Sequence, residues 1–199
     1  MKISAFLLAL AFVTVRAASA QSQSAPILTS STEGATRGAK MASLPVVNAV
    51  LDADKDLAVG LRECMSENHI EKNAANKLFV SVLLPTINQN QQIYFVRGTL
   101  DTSCLIGAHA FYYWLVVKSK TPNSTSYDVR YSGGSDAVSI LRSIHNGMYD
   151  IESSSFTATN AYTAKIQFDG SKYVDTKCTE AHRTTRGKEV VNIVPCSTF

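Results

Sequence analysis

The spacing of apolar residues predicts one helix in the first third of the chain. Between residues 44 and 65, apolar side chains recur at intervals of three, four or seven positions, at Val46, Val50, Leu57, Leu61 and Cys64. This spacing is typical of an α-helix that buries one face, and Pro45 suits a first helical turn. We expect the stripe to pack against a hydrophobic core.

From residue 78 onward the pattern changes to short runs of β-branched and aromatic residues, which predict strands. The runs cover 78–84, 92–96, 110–117, 126–131, 137–142, 148–153, 162–168, 172–175 and 189–194. Asn146-Gly147 and Asp169-Gly170 predict tight hairpins, and the glycine-rich segment 132–135 is interpreted as another hairpin turn. Short connections favour antiparallel pairing, because parallel strands need long crossovers. The sequence therefore predicts an α+β fold, with an N-terminal amphipathic helix followed by a mostly antiparallel β-sheet.

The first 20 residues have the three parts of a cleavable signal peptide. Lys2 gives a positive start, residues 3–15 are almost entirely apolar, and Ala18-Ser19-Ala20 offers the small residues that signal peptidase requires. The apolar run is too short to span a bilayer, which takes about 20 residues, and no later stretch is long enough. We predict cleavage near Ala20, a flexible leader at 21–43 and a single domain at 44–199, in a periplasmic or secreted protein without a transmembrane anchor.

Cleavage would also change the net charge. The whole chain has a formal net charge of +3, and losing Lys2 and Arg16 lowers it to +1. A nearly neutral domain lacks the strongly positive surface that would attract nucleic acids or anionic membranes. We therefore expect no nucleic-acid partner.

The cysteine count predicts disulfides. All four cysteines lie after the predicted cleavage site, and an even number in an oxidising compartment is typical of a disulfide framework. Three pairings are possible. We favour Cys64–Cys104, which would tie the helix to the sheet, and Cys178–Cys196, which would flank a final hairpin. No closely spaced cysteine pair suggests a zinc site.

Known catalytic and cofactor motifs are absent from the sequence. It contains no G-x-S-x-G, P-loop, G-x-G-x-x-G or H-E-x-x-H motif, so we expect neither a cofactor nor a metal. Cys104 and His109 are close in sequence, but a disulfide is favoured over a thiol nucleophile at Cys104. A carboxylate pair is the remaining catalytic option, provided that two acids converge in a cleft beside an aromatic platform such as Trp114. The candidate acids are Asp101, Asp128, Asp150 and Glu152.

Aromatic and basic residues provide a candidate binding surface. In 111–114, strand alternation would place Phe111 and Tyr113 on one face and Tyr112 and Trp114 on the other. We favour burial of both faces, and an exposed second face would be a recognition surface. The candidate surface residues are Tyr112, Trp114, Tyr149, Asp150, Arg183 and Arg186.

Several motifs between residues 91 and 178 resemble a pattern in small exported bacterial proteins of uncharacterised function. They are Ile93-Tyr94-Phe95-Val96-Arg97, Asn146-Gly147-Met148-Tyr149-Asp150-Ile151 and Phe168-Asp169-Gly170-Ser171-Lys172-Tyr173, with Cys104 and Trp114 between the first two. That pattern has an acidic loop before Phe-Val-Arg and a close cysteine pair before the tryptophan, whereas this chain has an amide-rich loop and one cysteine. The resemblance implies bacterial export and a β-rich domain, and it implies no reaction.

These features favour an exported, non-enzymatic binding protein, such as an inhibitor or immunity-type partner of a cell-envelope enzyme. One alternative is a small carboxylate-dependent hydrolase that acts on an envelope polymer. Another is a structural component of the envelope.

Overall fold

The computed structural model describes residues 25–100, 104–105, 110–184 and 187–198, so the predicted signal peptide lies outside the described residues. In chain order, the first elements are β1 (Leu28–Ser31), β2 (Lys40–Met41), α1 (Leu44–Ala53), α2 (Lys55–Glu67), a 3₁₀ helix (Lys72–Leu78) and β3 (Phe79–Leu83). The remaining strands are β4 (Gln91–Gly98), β5 (Phe111–Thr121), β6 (Ser124–Ser135), β7 (Ala137–His145), β8 (Met148–Phe156), β9 (Asn160–Phe168), β10 (Tyr173–Arg183) and β11 (Glu189–Val194).

The strands form two antiparallel sheets. The first sheet has the order β1-β7-β8-β9-β10-β11, and the second has the order β2-β3-β4-β5-β6. The chain passes from the second sheet to the first at Asp136, the one residue between β6 and β7. Apart from β1 and β2, and from β6 and β7 at this crossing, strands that follow each other along the chain are neighbours within their sheet.

One hydrophobic core lies between the two sheets. Its buried members include Phe95 and Tyr113 of the second sheet and Ile140, Ile151 and Ile166 of the first. They alternate with residues on the opposite side of each strand, as a pleated strand requires. The sheets therefore pack face to face as a β-sandwich.

A second core lies on the other face of the second sheet, under the helices. Trp114 and Val116 of β5 contact this core, which also contains Val46 and Val50 of α1 and Leu61 of α2. Strands β4 and β5 are therefore buried on both faces. The result is three layers, with the second sheet between the first sheet and the helices.

This arrangement contradicts the predicted α+β class. In the described residues the fold is mostly antiparallel β-structure in two sheets, with two short α-helices covering one of them. The predicted helix at 44–65 is also divided. Asp54 adopts an extended backbone (φ −128°, ψ 95°), and its side chain accepts a hydrogen bond from Leu57 N, so that it caps the start of α2.

The segment predicted as a flexible leader contributes strands to both sheets. Residues 21–24 lie outside the described range, but β1 pairs with β7 and β2 pairs with β3. Leu28 is buried in the core between the sheets. A short strand of this kind is not visible in composition, because its stability comes from pairing with a distant strand rather than from its own apolar content.

Two of the three turn predictions are confirmed. Asn146 and Gly147 both have positive φ (47° and 80°), as a two-residue hairpin turn requires, and Asp169-Gly170 lies in the β9–β10 connection. The predicted turn at 132–135 is wrong, because these residues continue β6 opposite β5. A Cβ on Gly133 would lie 2.9 Å from the Tyr131 ring and 3.0 Å from the Tyr113 ring, so this glycine makes room for aromatic packing.

Two disulfides are present, as predicted, and they join the favoured pairs Cys64–Cys104 and Cys178–Cys196. The first connects α2 to the segment between β4 and β5. The second connects Cys178 of β10 to Cys196, which lies just after β11. Among the described residues, no helix is long and apolar enough to cross a membrane.

Candidate functional site

A groove between α1 and α2 has a volume of about 720 Å³. Each helix uses one side to contact the second core and leaves another side facing its neighbour. The apolar part of the groove is lined by Val47, Leu51, Ala58, Leu61, Met65 and Ile70. Its volume lies within the ~300–1,000 Å³ range that is typical of ligand-binding pockets.

Apolar side chains also reach the outer edge of this groove. Leu44 is 55% exposed and Val59 is 44% exposed. Surface leucines and valines are common individually, but here two of them line the same groove as several other apolar residues. The edge therefore offers hydrophobic contact that the fold itself does not use.

Charged residues of both signs surround the apolar channel. Asp52 and Lys55 form an exposed ion pair at 2.9 Å, which contributes little to stability because both side chains are solvated. Arg62, His69 and Glu71 complete the rim. An apolar floor with a mixed-charge rim is the arrangement expected of a surface that binds an amphipathic segment.

The Cys64–Cys104 disulfide holds one wall of the groove. Cys64 lies in the last turns of α2, and its carbonyl oxygen accepts a hydrogen bond of 2.8 Å from the Asn68 side chain. Met65 is the neighbouring residue; it is buried in the second core and lines the groove. The covalent link therefore restrains the end of α2 on which the groove depends.

A second polar cluster lies on the outer face of the first sheet and centres on Asp150. This carboxylate has no exposed side-chain surface. It accepts hydrogen bonds from Ser143 Oγ at 2.6 Å, His145 Nδ1 at 2.6 Å and Gln167 Nε2 at 2.9 Å, and Lys165 Nζ lies 3.5 Å away. The cluster joins β7, β8 and β9.

Opposing effects act on the Asp150 carboxyl. Burial alone would raise its pKa, but the hydrogen bonds from Ser143, Gln167 and His145 outweigh burial, and the pKa lies below its usual value. Asp150 is therefore ionised at neutral pH and does not serve as a general acid. His145 Nε2 has the amide nitrogen of Gln167 at 3.2 Å, and an amide is not a nucleophile that a histidine could activate.

Among the described residues, the predicted carboxylates do not converge in a cleft. Glu152 lines a shallow cleft beside Lys165, whereas the nearby Asp150 carboxylate is enclosed by its partners. Asp128 is exposed on β6 of the other sheet, and Asp101 lies outside the described residues. Trp114 is buried under the helices, so it is not an aromatic platform at any of these acids.

The predicted binding-surface residues are also separated. Trp114, Tyr149 and Asp150 are buried, and Tyr149 OH donates a hydrogen bond to Pro85 O across the sandwich. Tyr112 is 55% exposed and stacks on Trp114 at a ring distance of 6.4 Å. Arg183 is exposed at the end of β10, and Arg186 lies outside the described residues. Tyr112 and Arg183 therefore remain exposed, on different sheets.

Sequence reasoning missed the groove because it treated the helical region as one continuous helix with one buried stripe. The available signal was Asp54-Lys55-Asp56-Leu57, a helix-start pattern inside the predicted helix. A break at Asp54 would have placed Val47 and Leu51 opposite Ala58 and Val59.

In the described residues, no group of three or more His, Cys, Asp or Glu side chains is arranged to hold a metal ion.

No family model, curated protein or solved structure matches this chain.

Proposed function

We propose that this protein is an exported binding protein that holds an amphipathic helix of a partner protein in the groove between α1 and α2. The observation that carries this proposal is the groove itself, which combines an apolar channel with a charged rim. A helix that docks in such a groove presents apolar residues at every third or fourth position.

The rim favours a peptide partner over a simple lipid. Asp52 and Glu71 are acidic, whereas Lys55 and Arg62 are basic. A zwitterionic lipid head group carries one charge of each sign at most, whereas the polar face of an amphipathic helix can place several charges of both signs along the groove. Met65 adds a flexible contact, which suits a surface that adapts to a side chain from another protein.

Export is supported by the predicted signal peptide and by the two disulfides, because such bonds persist in oxidising compartments. A partner in the cell envelope or outside the cell agrees with both features. An inhibitor or immunity-type role would follow if the bound helix belonged to an envelope enzyme.

The groove proposal can be tested by photo-crosslinking. A photoreactive amino acid replaces Val59 at the groove edge, and in a control protein it replaces Val191, which is 59% exposed on β11. We expect a crosslinked protein from the envelope or secreted fraction at position 59 and none at position 191. The crosslinked peptide should have apolar residues spaced three or four apart. Equal crosslinking at both positions, or crosslinking to an extended segment, would contradict the proposal.

Charge placed at the groove edge should weaken binding. For Leu44→Asp/Val59→Asp we expect at least about a tenfold loss of affinity for the crosslinked segment, since two apolar contacts are replaced by charges that need solvation. Fluorescence polarisation with the labelled synthetic segment measures the effect. The matched control is Val191→Asp/Ile193→Asp, which changes two exposed residues of β11 and should leave affinity unchanged.

A further inference from the structure

Arg97 is a buried cation at the edge of the core between the sheets. It is the last residue of β4 on the face that points toward the core between the sheets, and the residue is 1% exposed. Its Nε donates to Gly98 O at 3.1 Å, and its Nη1 donates to Ser30 Oγ at 2.7 Å and Ser31 O at 2.6 Å. The guanidinium carbon lies 4.0 Å above the centre of the Phe111 ring. These contacts hold the guanidinium in one orientation.

The charge of Arg97 is not balanced by any described carboxylate. Its hydrogen-bond acceptors are carbonyl and hydroxyl oxygens, and no described acid lies within ion-pair distance. Burial lowers the pKa of Arg97, but a guanidinium stays protonated. An uncompensated buried charge is unfavourable, so structures usually supply a partner.

Two buried donors at this position lack a hydrogen-bond partner. They are Arg97 Nη2 and the Thr99 hydroxyl. Thr99 is held in place because its backbone N–H donates to Leu78 O at 2.9 Å. Buried polar groups are almost always hydrogen-bonded, so an unpartnered pair is informative.

Both residues line the same cleft, which has a volume of about 230 Å³. Thr36 also lines it, and its hydroxyl is linked to Ser30, which accepts from Arg97. The other walls are apolar or small, formed by Ala35, Ala39, Val80 and Leu100. The cleft thus combines a cationic, hydrogen-bond-donating side chain with apolar lining residues.

We propose that this cleft binds the carboxylate of a small aliphatic acid. One carboxylate oxygen would accept from Arg97 Nη2 and the other from Thr99 Oγ1, while the short hydrocarbon tail would contact the alanine and valine side chains. Phosphate or sulfate would leave two oxygens without a donor in an apolar cleft. Water could accept the two hydrogen bonds, but it would not neutralise the charge.

The test is an NMR titration of the folded protein with butyrate, using sodium chloride and sodium phosphate at equal ionic strength for comparison. We expect butyrate to shift the Arg97 Nε–H resonance and the Gly98 and Thr99 amide resonances in a saturable manner. Chloride and phosphate should give no saturable shift. Equal responses to all three anions, or no response to butyrate, would overturn the proposal.

Thr99→Val tests the second donor without removing the charge. It keeps the shape of the side chain, and we expect it to weaken butyrate binding about tenfold, the equivalent of about 1.4 kcal/mol. Thr125→Val, at an exposed position of β6, is the matched control and should bind as the unchanged protein does. An unchanged affinity in Thr99→Val would contradict the assigned contact.

Asp101→Asn separates an external acid from one supplied by the chain. Asp101 lies outside the described residues and is near Arg97 in sequence. We expect this variant to bind butyrate as the unchanged protein does. Binding that appears only in Asp101→Asn would mean that the chain fills its own cleft, and the proposal would fail.

Discussion

Asp150 shows how one residue can be fully enclosed on the outer face of a sheet. The residues that cover it come from β7 and β9, on either side of its own strand β8. Three hydrogen bonds and a lysine at 3.5 Å replace the water that an exposed carboxylate would bind. Each partner therefore stabilises the ionised form, and the charge joins three neighbouring strands.

This network should make stability depend on pH. A lowered pKa in the folded state stabilises the fold above the unfolded pKa of about 3.9, and this contribution is lost as pH falls through the folded value. Asp150→Asn removes the titrating group, so its free energy of unfolding should decline less steeply below about pH 4. Urea unfolding at a series of pH values measures the slopes. At neutral pH the variant should be less stable by about 1–3 kcal/mol.

The matched control is Asp128→Asn, which changes an exposed carboxylate on β6. Its pH dependence should follow that of the unchanged protein. Identical slopes in Asp150→Asn and the unchanged protein would show that Asp150 does not contribute to acid sensitivity.

At the residue scale, alternation predicted which side of a strand a residue would occupy, but not whether that side would be covered. Tyr112 and Trp114 share a face of β5, as expected. Trp114 is buried beneath the helices, whereas Tyr112 remains 55% exposed. The difference in exposure depends on how far the helical layer extends over β5, and no local sequence pattern predicts this extent.

Strand β6 shows how a glycine pair can serve packing rather than turning. Gly133 pairs with Tyr113 and Gly134 pairs with Tyr112. Only Gly133 lies against closely packed rings, those of Tyr113 and Tyr131. A Cβ on Gly134 would have ordinary contacts, the nearest being 3.7 Å from the Tyr112 ring. The two adjacent glycines therefore meet different steric requirements.

Alanine substitutions should separate these requirements. Gly133→Ala should destabilise the protein by about 1–3 kcal/mol, because the new methyl group would overpack the aromatic cluster. Gly134→Ala should be neutral or stabilising by up to about 1 kcal/mol, because alanine costs less backbone entropy in a strand. Thermal or urea unfolding of both variants provides the comparison, and equal effects would contradict it.

At the element scale, most strands after residue 78 were predictable because each has its own hydrophobic period and turn residues, but only 172–175 was predicted of β10, which runs Tyr173–Arg183 and is largely polar. The glycine pair was misassigned because a Gly-Gly sequence has the same composition in a turn and beside stacked rings. The helix break at Asp54 was missed for a related reason. The apolar stripe continues across the break, so periodicity alone does not detect it.

At the scale of the whole molecule, the two disulfides close loops of different length. Cys64–Cys104 spans 40 residues and Cys178–Cys196 spans 18. The first restrains the helical layer that forms the groove, and the second restrains the far edge of the first sheet. Their loss should therefore have different functional consequences.

Paired alanine variants test this difference. In the chain-entropy treatment, Cys64→Ala/Cys104→Ala should lose about 4 kcal/mol and Cys178→Ala/Cys196→Ala about 3 kcal/mol. Only the first variant should also weaken binding of a groove peptide, because only that disulfide holds α2. Unfolding and peptide-affinity measurements should be made on both variants. A weaker affinity after loss of Cys178–Cys196 would contradict the assignment.

The division into two sheets was the part of the fold that the sequence did not predict. Hydrophobic alternation shows that one face of a strand is buried, but it does not identify the layer that covers it. The candidate sites were missed for the same reason. Arg97 and Thr99 are ordinary strand and loop residues in sequence, and the unpartnered Arg97 Nη2 and Thr99 hydroxyl become apparent only from burial in the assembled sandwich.

Strand β1 also has a consequence for synthesis. Leu28 pairs with Ile140, so β1 leaves the ribosome long before its partner strand β7 exists. If the chain is exported from its N-terminus, β1 remains unpaired while the strands of the second sheet emerge and pair. β1 can join the first sheet only after β7 has been synthesised. A pulse-labelled chain should therefore acquire protection in β4 and β5 before it does so in β1.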